Sequence, residues 1–279
     1  MFTRLLSPGL SLLRLPGLAS QCAVCHSWPA QQVCAPCVSR FTPALLRCAR
    51  CALALPAGPP AGAGLSRGAA PSGGAGLSEG TALFGGRHST DDPLCVACAS
   101  ELPALDGALA ALSYAYPWST LITRYKFGEQ HGWAGFFASL LLQAPGVAHL
   151  FEHLAPQDWV LPLPLSDQRL QTRGFNQAWE LASALARQTR TQAQADARLL
   201  LRVRHTRAQS ELRRQDRLTN VKGAFQVDPL RVAGLEGRSV VLVDDVMTSG
   251  ASLFEAAQVL RDAGAATVTA VVLARTAPA

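Results

Sequence analysis

The sequence has no run of about 18 uncharged apolar residues, so no membrane-spanning helix is expected. Lysine is nearly missing: Lys126 and Lys222 are the only two among 25 basic residues, the rest being arginine. Cysteine is absent beyond Cys98, which excludes thiolate chemistry from the larger C-terminal part of the chain. Apart from paired cysteines there is no internal repeat, so a repeat architecture is excluded. A convincing export signal is missing as well. Arg4 precedes Leu-rich stretches up to Ala19, but Pro8, Arg14 and Pro16 interrupt them and no small-residue cleavage site follows. The expectation is an ordinary cytoplasmic N-terminus.

What is present bounds the answer further. Hydrophobic residues make up 49% of 279 residues, enough for one large domain or two smaller ones. The net charge of +6 and pI near 9.1 favour anionic partners: phosphate esters, nucleic acid or an anionic membrane face. The charge is uneven, with Arg198, Arg202, Arg204, Arg207, Arg213, Arg214 and Arg217 crowded into one stretch. Basic side chains spaced along a helix bind nucleic-acid backbones, although a solvated helix face is the commoner fate of such a run.

All eight cysteines form C-x-x-C pairs: Cys22/Cys25, Cys34/Cys37, Cys48/Cys51 and Cys95/Cys98. Such a turn points two thiolates at one ion, and two turns complete a tetrahedral site. Eight ligands satisfy two structural zinc ions with none left over, and none of the six histidines is needed, although His26 is close enough to substitute. Redox chemistry is the rival, but a thioredoxin-like pair follows a strand and opens a helix, whereas these pairs sit in polar, Pro-rich loops. Disulfides would require export. Spacing does not fix which pairs share an ion; sequential pairing, first with second and third with fourth, is expected.

Composition divides the chain at about residue 104. A zinc-ribbon domain over 1–104 carries a Gly/Ala/Pro/Ser-rich insert, 52–90, that cannot bury enough apolar surface to fold alone and is expected to be a flexible loop. From 105 to 279 apolar runs alternate with amphipathic segments. Strands are predicted at Leu109–Tyr116 (ended by Pro117), Trp159–Pro164, Leu199–Val203, Val240–Val243 and Val268–Leu273, and helices at Leu121–Lys126, Gly135–Leu142 and Phe175–Arg187. Between the last two strands, Leu253, Ala256, Ala257 and Leu260 make one helix face and Gly264 stands where a C-cap belongs. This βαβ texture predicts an α/β fold with a roughly five-stranded parallel sheet.

The strongest chemical signal is VVLVDDVMTSGAS, residues 240–252. A hydrophobic strand delivers Asp244 and Asp245 at its C-terminal end, and a loop with Thr248, Ser249, Gly250 and Ser252 leads into the helix. Small residues let backbone N–H groups converge on a phosphate, and the helix start adds partial positive charge. The acids would repel phosphate, so they are expected to face sugar hydroxyls or a Mg²⁺ held partly through water. The bland alternative is a helix cap at Ser252 and a turn residue at Asp245. Arg169 and Arg173, which follow a buried strand, suit phosphate bidentately, or else decorate a solvated loop. Asn176 reads as a helix-start residue, Lys126 as a candidate for pyrophosphate contact, and Trp118, Trp133 and Trp179 as core or rim packing.

VVLVDDVMTSGAS resembles the 5-phosphoribosyl-1-pyrophosphate (PRPP) motif of type I phosphoribosyltransferases. LPLPLSDQRLQTRGFNQA (161–178), YKFG (125–128) and RHTRAQSELRRQDRLTNVKGAF (204–225) are similar to segments of the ComF family, whose members also carry an N-terminal zinc ribbon with C-x-x-C pairs. The insert departs from that pattern. The resemblance implies a type I phosphoribosyltransferase-like domain in which Asp244 and Asp245 contact ribose hydroxyls. Asp244, Asp245, Val246, Met247, Thr248, Ser249, Gly250, Ala251 and Ser252 would together bind PRPP, with Met247–Ser252 cradling the 5-phosphate. Leu163 and Pro164 would form the pyrophosphate loop. The stretch 204–220, with Arg207 among the PRPP contacts, would be a hood. Asp244, Asp245, Lys126 and Arg173 are the catalytic candidates.

Three functions remain in view. An enzyme would transfer the phosphoribosyl group of PRPP (or recognise ribose 5-phosphate), with Mg²⁺ and Arg/Lys groups stabilising the leaving pyrophosphate. A binding protein would sense PRPP or a nucleotide while its zinc domain and Arg run hold single-stranded DNA or a protein of the competence machinery, as the ComF resemblance implies. A scaffold would hold only adventitious phosphate.

Overall fold

The computed structural model describes residues 20–28, 30–56, 92–127, 132–204 and 221–277. The architecture is that of these residues. Most of the Gly/Ala/Pro/Ser-rich insert and nearly all of the 204–220 hood, Arg207 included, lie outside them.

The sheet begins with β1 (Gly107–Ser113), followed by α3 (Trp118–Phe127), α4 (Trp133–Gln143) and α5 (Val147–Glu152). The short helices α1 (Ala35–Phe41) and α2 (Val96–Ser100) precede it. Next come β2 (Trp159–Pro162), α6 (Asp167–Arg173), α7 (Gln177–Thr189) and β3 (Gln194–Ala195). The chain then forms a small antiparallel pair, β4 (Leu200–Arg202) with β5 (Phe225–Val227), and closes with β6 (Ser239–Met247), α8 (Ala251–Asp262) and β7 (Thr267–Arg275). The main sheet has five strands in the order β1-β7-β6-β2-β3, every neighbouring pair parallel.

This order explains the sequence texture. Strands β7 and β6 lie inside the sheet with helices over both faces, so they read as near-continuous apolar runs rather than as alternation. With a period of two, Val240, Leu242, Val268, Ala270 and Val272 face α8 and the β4–β5 pair, in one cluster with Leu253, Ala256, Ala257, Leu260 and Phe225. The alternate positions turn to the face that α4, α5 and α7 cover with Phe137, Leu141, Leu181 and Leu185, all fully buried. Helix α8 presents the predicted Leu253–Ala256–Ala257–Leu260 stripe to the core. It ends at Gly264, whose φ of +99° is open to glycine at little cost and lets the chain turn straight into β7.

Three elements differ from the sequence reading. Strand β4 pairs with β5 outside the main sheet; the two-residue β3 takes the fifth place, too short to leave a hydrophobic signature. Arg169 and Arg173 sit on a helix, α6, with no buried residues and hence no amphipathic stripe to announce it. The compact units also fall elsewhere. One ends at Phe41 and the other runs from Thr42 onward, whereas the composition shift suggests a division at 104/105.

The packing of the second cysteine group is the reason. Cys48, Cys51, Cys95 and Cys98 belong to the same buried cluster as the sheet. Ala49 accepts a hydrogen bond from Ala108 of β1 (2.9 Å), and Arg50 Nη1 donates to Leu105 O (2.8 Å). Among the described residues no helix is long and apolar enough to cross a membrane.

Candidate active site and metal centres

Strand β6 carries Asp244 and Asp245 to the carboxyl end of the sheet, where ligands of parallel α/β folds bind. Alternation turns the two side chains to opposite sides, which is why one is half-buried and the other, Asp245, is 3% exposed. A buried carboxylate needs a counter-charge, and Lys126 of α3 supplies it: its Nζ lies 3.1 Å from Asp245 Oδ2. Asp244 has its Oδ1 2.8 Å from the backbone N–H of Asp245. Burial foremost, and the Asp245 charge second, push the Asp244 carboxyl up to about 8, against the pull of Lys126, that N–H donor and Arg173. A carboxyl raised in this way favours its protonated form until a ligand or cation stabilises the ionised one.

Beyond the acids, Thr248 and Ser249 turn the chain into Gly250. Gly250 has φ +86°, which favours glycine, and a Cβ there would stand 2.6 Å from both Met247 Cε and Phe254 Cζ, so those side chains would have to shift. Ser249 Oγ accepts from Ala251 N–H (3.3 Å), and the Phe254 N–H bonds back to Gly250 O (2.9 Å), starting α8. The first turn of this 12-residue helix thus opens directly behind the acids, where its N–H donors and dipole favour an anion.

The second loop follows β2. Leu163 N–H donates to Val243 O (2.8 Å), which ties the Leu163–Pro164 loop to the strand bearing the acids. Asn176 caps α7, its Oδ1 accepting from Ala178 N–H (3.0 Å), while its Nδ2 donates to Leu163 O (3.2 Å). The predicted helix-start residue is therefore also the clip on this loop. Arg173 reaches back from α6 to stack on Phe127 of α3, 5.0 Å from the ring centroid, and lies within electrostatic reach of Asp244. Tyr125, fully buried, donates to Gln177 O (3.0 Å) and locks α3 to α7.

In sequence Arg202 is one member of the basic stretch and nothing more. Here it ends β4, stacks over Phe225 (5.2 Å), and lies within electrostatic reach of Asp244 and Arg169. Burial first, and the like charge of Arg169 second, lower its guanidinium to about 10, with Asp244 opposing. A cation closing an apolar run, Leu199–Leu200–Leu201, was the available signal. Lys126, Arg173 and Arg202 thus come from three elements within electrostatic reach of Asp244, and Arg169 lies within reach of Arg202. Such a set of cations can hold a polyanion.

The cysteines form two groups, each with its four sulfur atoms within 4.8 Å of one another: Cys22, Cys25, Cys34 and Cys37, then Cys48, Cys51, Cys95 and Cys98. The sequential pairing expected from the sequence is the one found. Cys25 and Cys34 Sγ are 3.6 Å apart, as are Cys51 and Cys95 Sγ, close to the separation of thiolates around one tetrahedral zinc at Zn–S of about 2.3 Å. Backbone N–H groups of Val24 and Cys34 point at Cys22 Sγ (3.4 and 3.3 Å), as they do toward a ligating thiolate. Both groups fit a closed four-thiolate metal site and are consistent with zinc.

Fold and site together define a type I phosphoribosyltransferase-like protein with two N-terminal four-cysteine groups able to hold a metal, and a phosphoribosyl transferase domain model matches residues 172–278. The chain belongs to the ComF family of competence and DNA utilization proteins. It is 34% identical over 182 residues to the DNA utilization protein YhgH of Escherichia coli K12, covering 65% of this chain and 78% of that one. It is 35% identical to Competence protein F of Haemophilus influenzae over 172 residues, 61% of this chain and 73% of the other. Competence protein ComFC of Bacillus subtilis matches at 34% over 117 residues, 42% and 44% of the two chains.

Proposed function

We propose that the sheet domain binds PRPP with Mg²⁺ and transfers its phosphoribosyl group to an acceptor with release of pyrophosphate. One observation carries the reading: the Asp244–Asp245 pair at the end of β6 opens onto a glycine-started helix while Lys126 sits 3.1 Å from Asp245. In this reading Asp244 and Asp245 accept from the ribose hydroxyls, and residues from Val246 through Thr248, Ser249, Gly250, Ala251 and Ser252 enclose the 5-phosphate. Leu163 and Pro164 offer backbone groups to the pyrophosphate, and Lys126, Arg169 and Arg173 offset the charge it gains as the anomeric C–O bond breaks. Mg²⁺, bound with PRPP, would neutralise further phosphate charge. Arg207 of the hood would close over the ligand. Zinc in both four-cysteine groups is structural, because neither leaves an open coordination position. Eight reduced thiols used as ligands suit the cytoplasm.

Calorimetric titration of Mg·PRPP into wild type and into Asp244→Ala/Asp245→Ala tests this. Micromolar binding that weakens at least about 100-fold in the double variant is expected, since two charge-assisted contacts disappear. A folded, metal-loaded wild type that ignores Mg·PRPP sinks the reading. The pH dependence has a definite sign. Binding calls for ionised Asp244, whose carboxyl in the free protein is pushed up to about 8, so binding releases a proton below that pH. Affinity should rise by up to about tenfold per unit from pH 6 to 8 and level off above.

A second reading keeps the PRPP or nucleotide site without turnover, as the sensor of a protein that handles single-stranded DNA or docks on the competence machinery. The names of the relatives favour it: a DNA utilization protein and two competence proteins. Pyrophosphate release with some acceptor supports the enzyme; binding to single-stranded DNA that falls steeply with salt supports the second reading.

A further inference from the structure

Arg275, the last residue of β7, is 7% exposed, and no carboxylate among the described residues lies within ion-pair distance of it. A buried guanidinium is costly unless its donors are satisfied and its charge is answered. Its donors go in two directions. Nε donates to Cys51 O (2.8 Å), in the turn that carries the Cys48/Cys51 pair. Nη1 reaches Met247 O (3.1 Å), Thr248 O and Thr276 O (3.0 Å). Thr276 adds its own N–H to Met247 O (3.1 Å) and its Oγ1 to Thr248 O (3.3 Å). One side chain therefore joins a ligand turn of the second cysteine group to the carbonyls where the phosphate loop leaves β6.

Arg47 brings a second partly buried cation, its Nη1 3.0 Å from Ala52 O and close enough to Arg275 to feel its charge. Among the described residues neither guanidinium meets a carboxylate. Four thiolates around a divalent metal carry a net charge of −2, and both arginines bond carbonyls, Cys51 O and Ala52 O, in the turn that bears two of them.

We infer that Arg275 is a positioning residue that couples the second four-cysteine group to the phosphate loop, so that metal at the one and an anion at the other strengthen each other. The anion half rests on the PRPP reading above; the mechanical half does not. Met247 and Thr248 direct the loop, and their carbonyls must turn toward Arg275 for the following N–H groups to turn toward a phosphate. When metal holds the Cys48/Cys51 turn, Cys51 O fixes the guanidinium and the guanidinium fixes both carbonyls. Linkage makes the effect reciprocal: whatever the metal contributes to anion binding, the anion returns to metal retention.

The test uses the full metal-loaded chain as wild type, Arg275→Gln and Arg275→Lys. Hydrogen exchange is followed in peptides covering 246–252 and 48–52, with 268–273 as a core reference. In Arg275→Gln both segments should exchange roughly tenfold faster while the core and the zinc content hold; Arg275→Lys, which keeps charge but loses the fork, should show about a threefold rise. Zinc release to a colorimetric chelator is then timed with and without Mg·PRPP. In wild type Mg·PRPP should slow the second zinc several-fold, and in both variants that protection should vanish. Loop exchange equal to wild type, or a loosened loop beside an unchanged 48–52 turn, overturns the coupling. If Arg275→Gln does not fold, the lysine variant decides by the same two readings. If wild type fails to bind Mg·PRPP, the functional reading falls, and the exchange data still decide whether Arg275 joins the two segments.

Discussion

The two four-cysteine groups share a motif and a geometry but not a setting. In the first, only Cys22 and Cys37 are buried and Cys25 is exposed; in the second all four are buried. The first belongs to a compact unit of its own, ending at Phe41. The second is continuous with the enzyme-like body: Ala49 bonds to β1, Arg50 to Leu105, and the cysteines line the core that α8 and β6 also line. With metal bound, the two groups would serve two purposes. One would staple a segment too small to build a core, and the other would extend a core at the edge of a sheet.

Loss of ligands should separate the two most sharply. Cys48→Ser/Cys51→Ser is expected to leave the body unable to reach its native packing, since structural zinc supplies on the order of 10 kcal/mol in small sites. Cys22→Ser/Cys25→Ser should leave the main melting transition within about 2 °C of wild type. Near-ultraviolet circular dichroism against temperature measures both, and equal effects would erase the comparison. Next in size is the release of the metals themselves. A mercurial reagent should free zinc in two phases, the first at least about tenfold faster, because only the first group exposes a sulfur to attack. A single phase would contradict the difference in burial.

The body should also have a pH dependence that comes from a carboxyl rather than from cysteine thiols. The carboxyl of Asp244 is held near 8, above its value in an unfolded chain, so the folded state binds the proton more tightly. Stability from this group is fully present below about pH 4, is lost as pH rises toward 8, and is constant beyond. Asp244→Asn should remove that slope and make the body more stable than wild type at pH 8, on the order of 1–3 kcal/mol, with no gain at pH 4. Denaturant melts at the two pH values check it. The smallest effect expected is that of Arg50→Ala: one bond to Leu105 O disappears, worth about 1 kcal/mol, in the body transition alone.

Much of this was legible beforehand where chemistry is local. The β-branched run at 240–243, the acid pair, the hydroxyl-and-glycine loop and the 253–256–257–260 stripe are contiguous, and each constrains the next. The C-x-x-C spacing fixed ligand type, and sequential pairing matched the observed groups. Helix α6 was hidden because it buries nothing, and β3 because two residues carry no period. Arg202 and Arg275 were hidden for another reason. An arginine at a strand end looks the same in sequence whether it meets water, a ligand or a buried carbonyl.

The sequence by itself determined the long strands of the main sheet, the acid-and-glycine loop after β6 and the cysteine pairs, because backbone preference, side-chain period and C-x-x-C spacing act over a few residues. Only the tertiary structure decided which cations meet the acids, that the second cysteine group belongs to the sheet, and that Arg275 ties one to the other. Those outcomes depend on contacts between residues as far apart as Cys51 and Arg275, whose meeting is set by the order of strands in the sheet and by no local pattern.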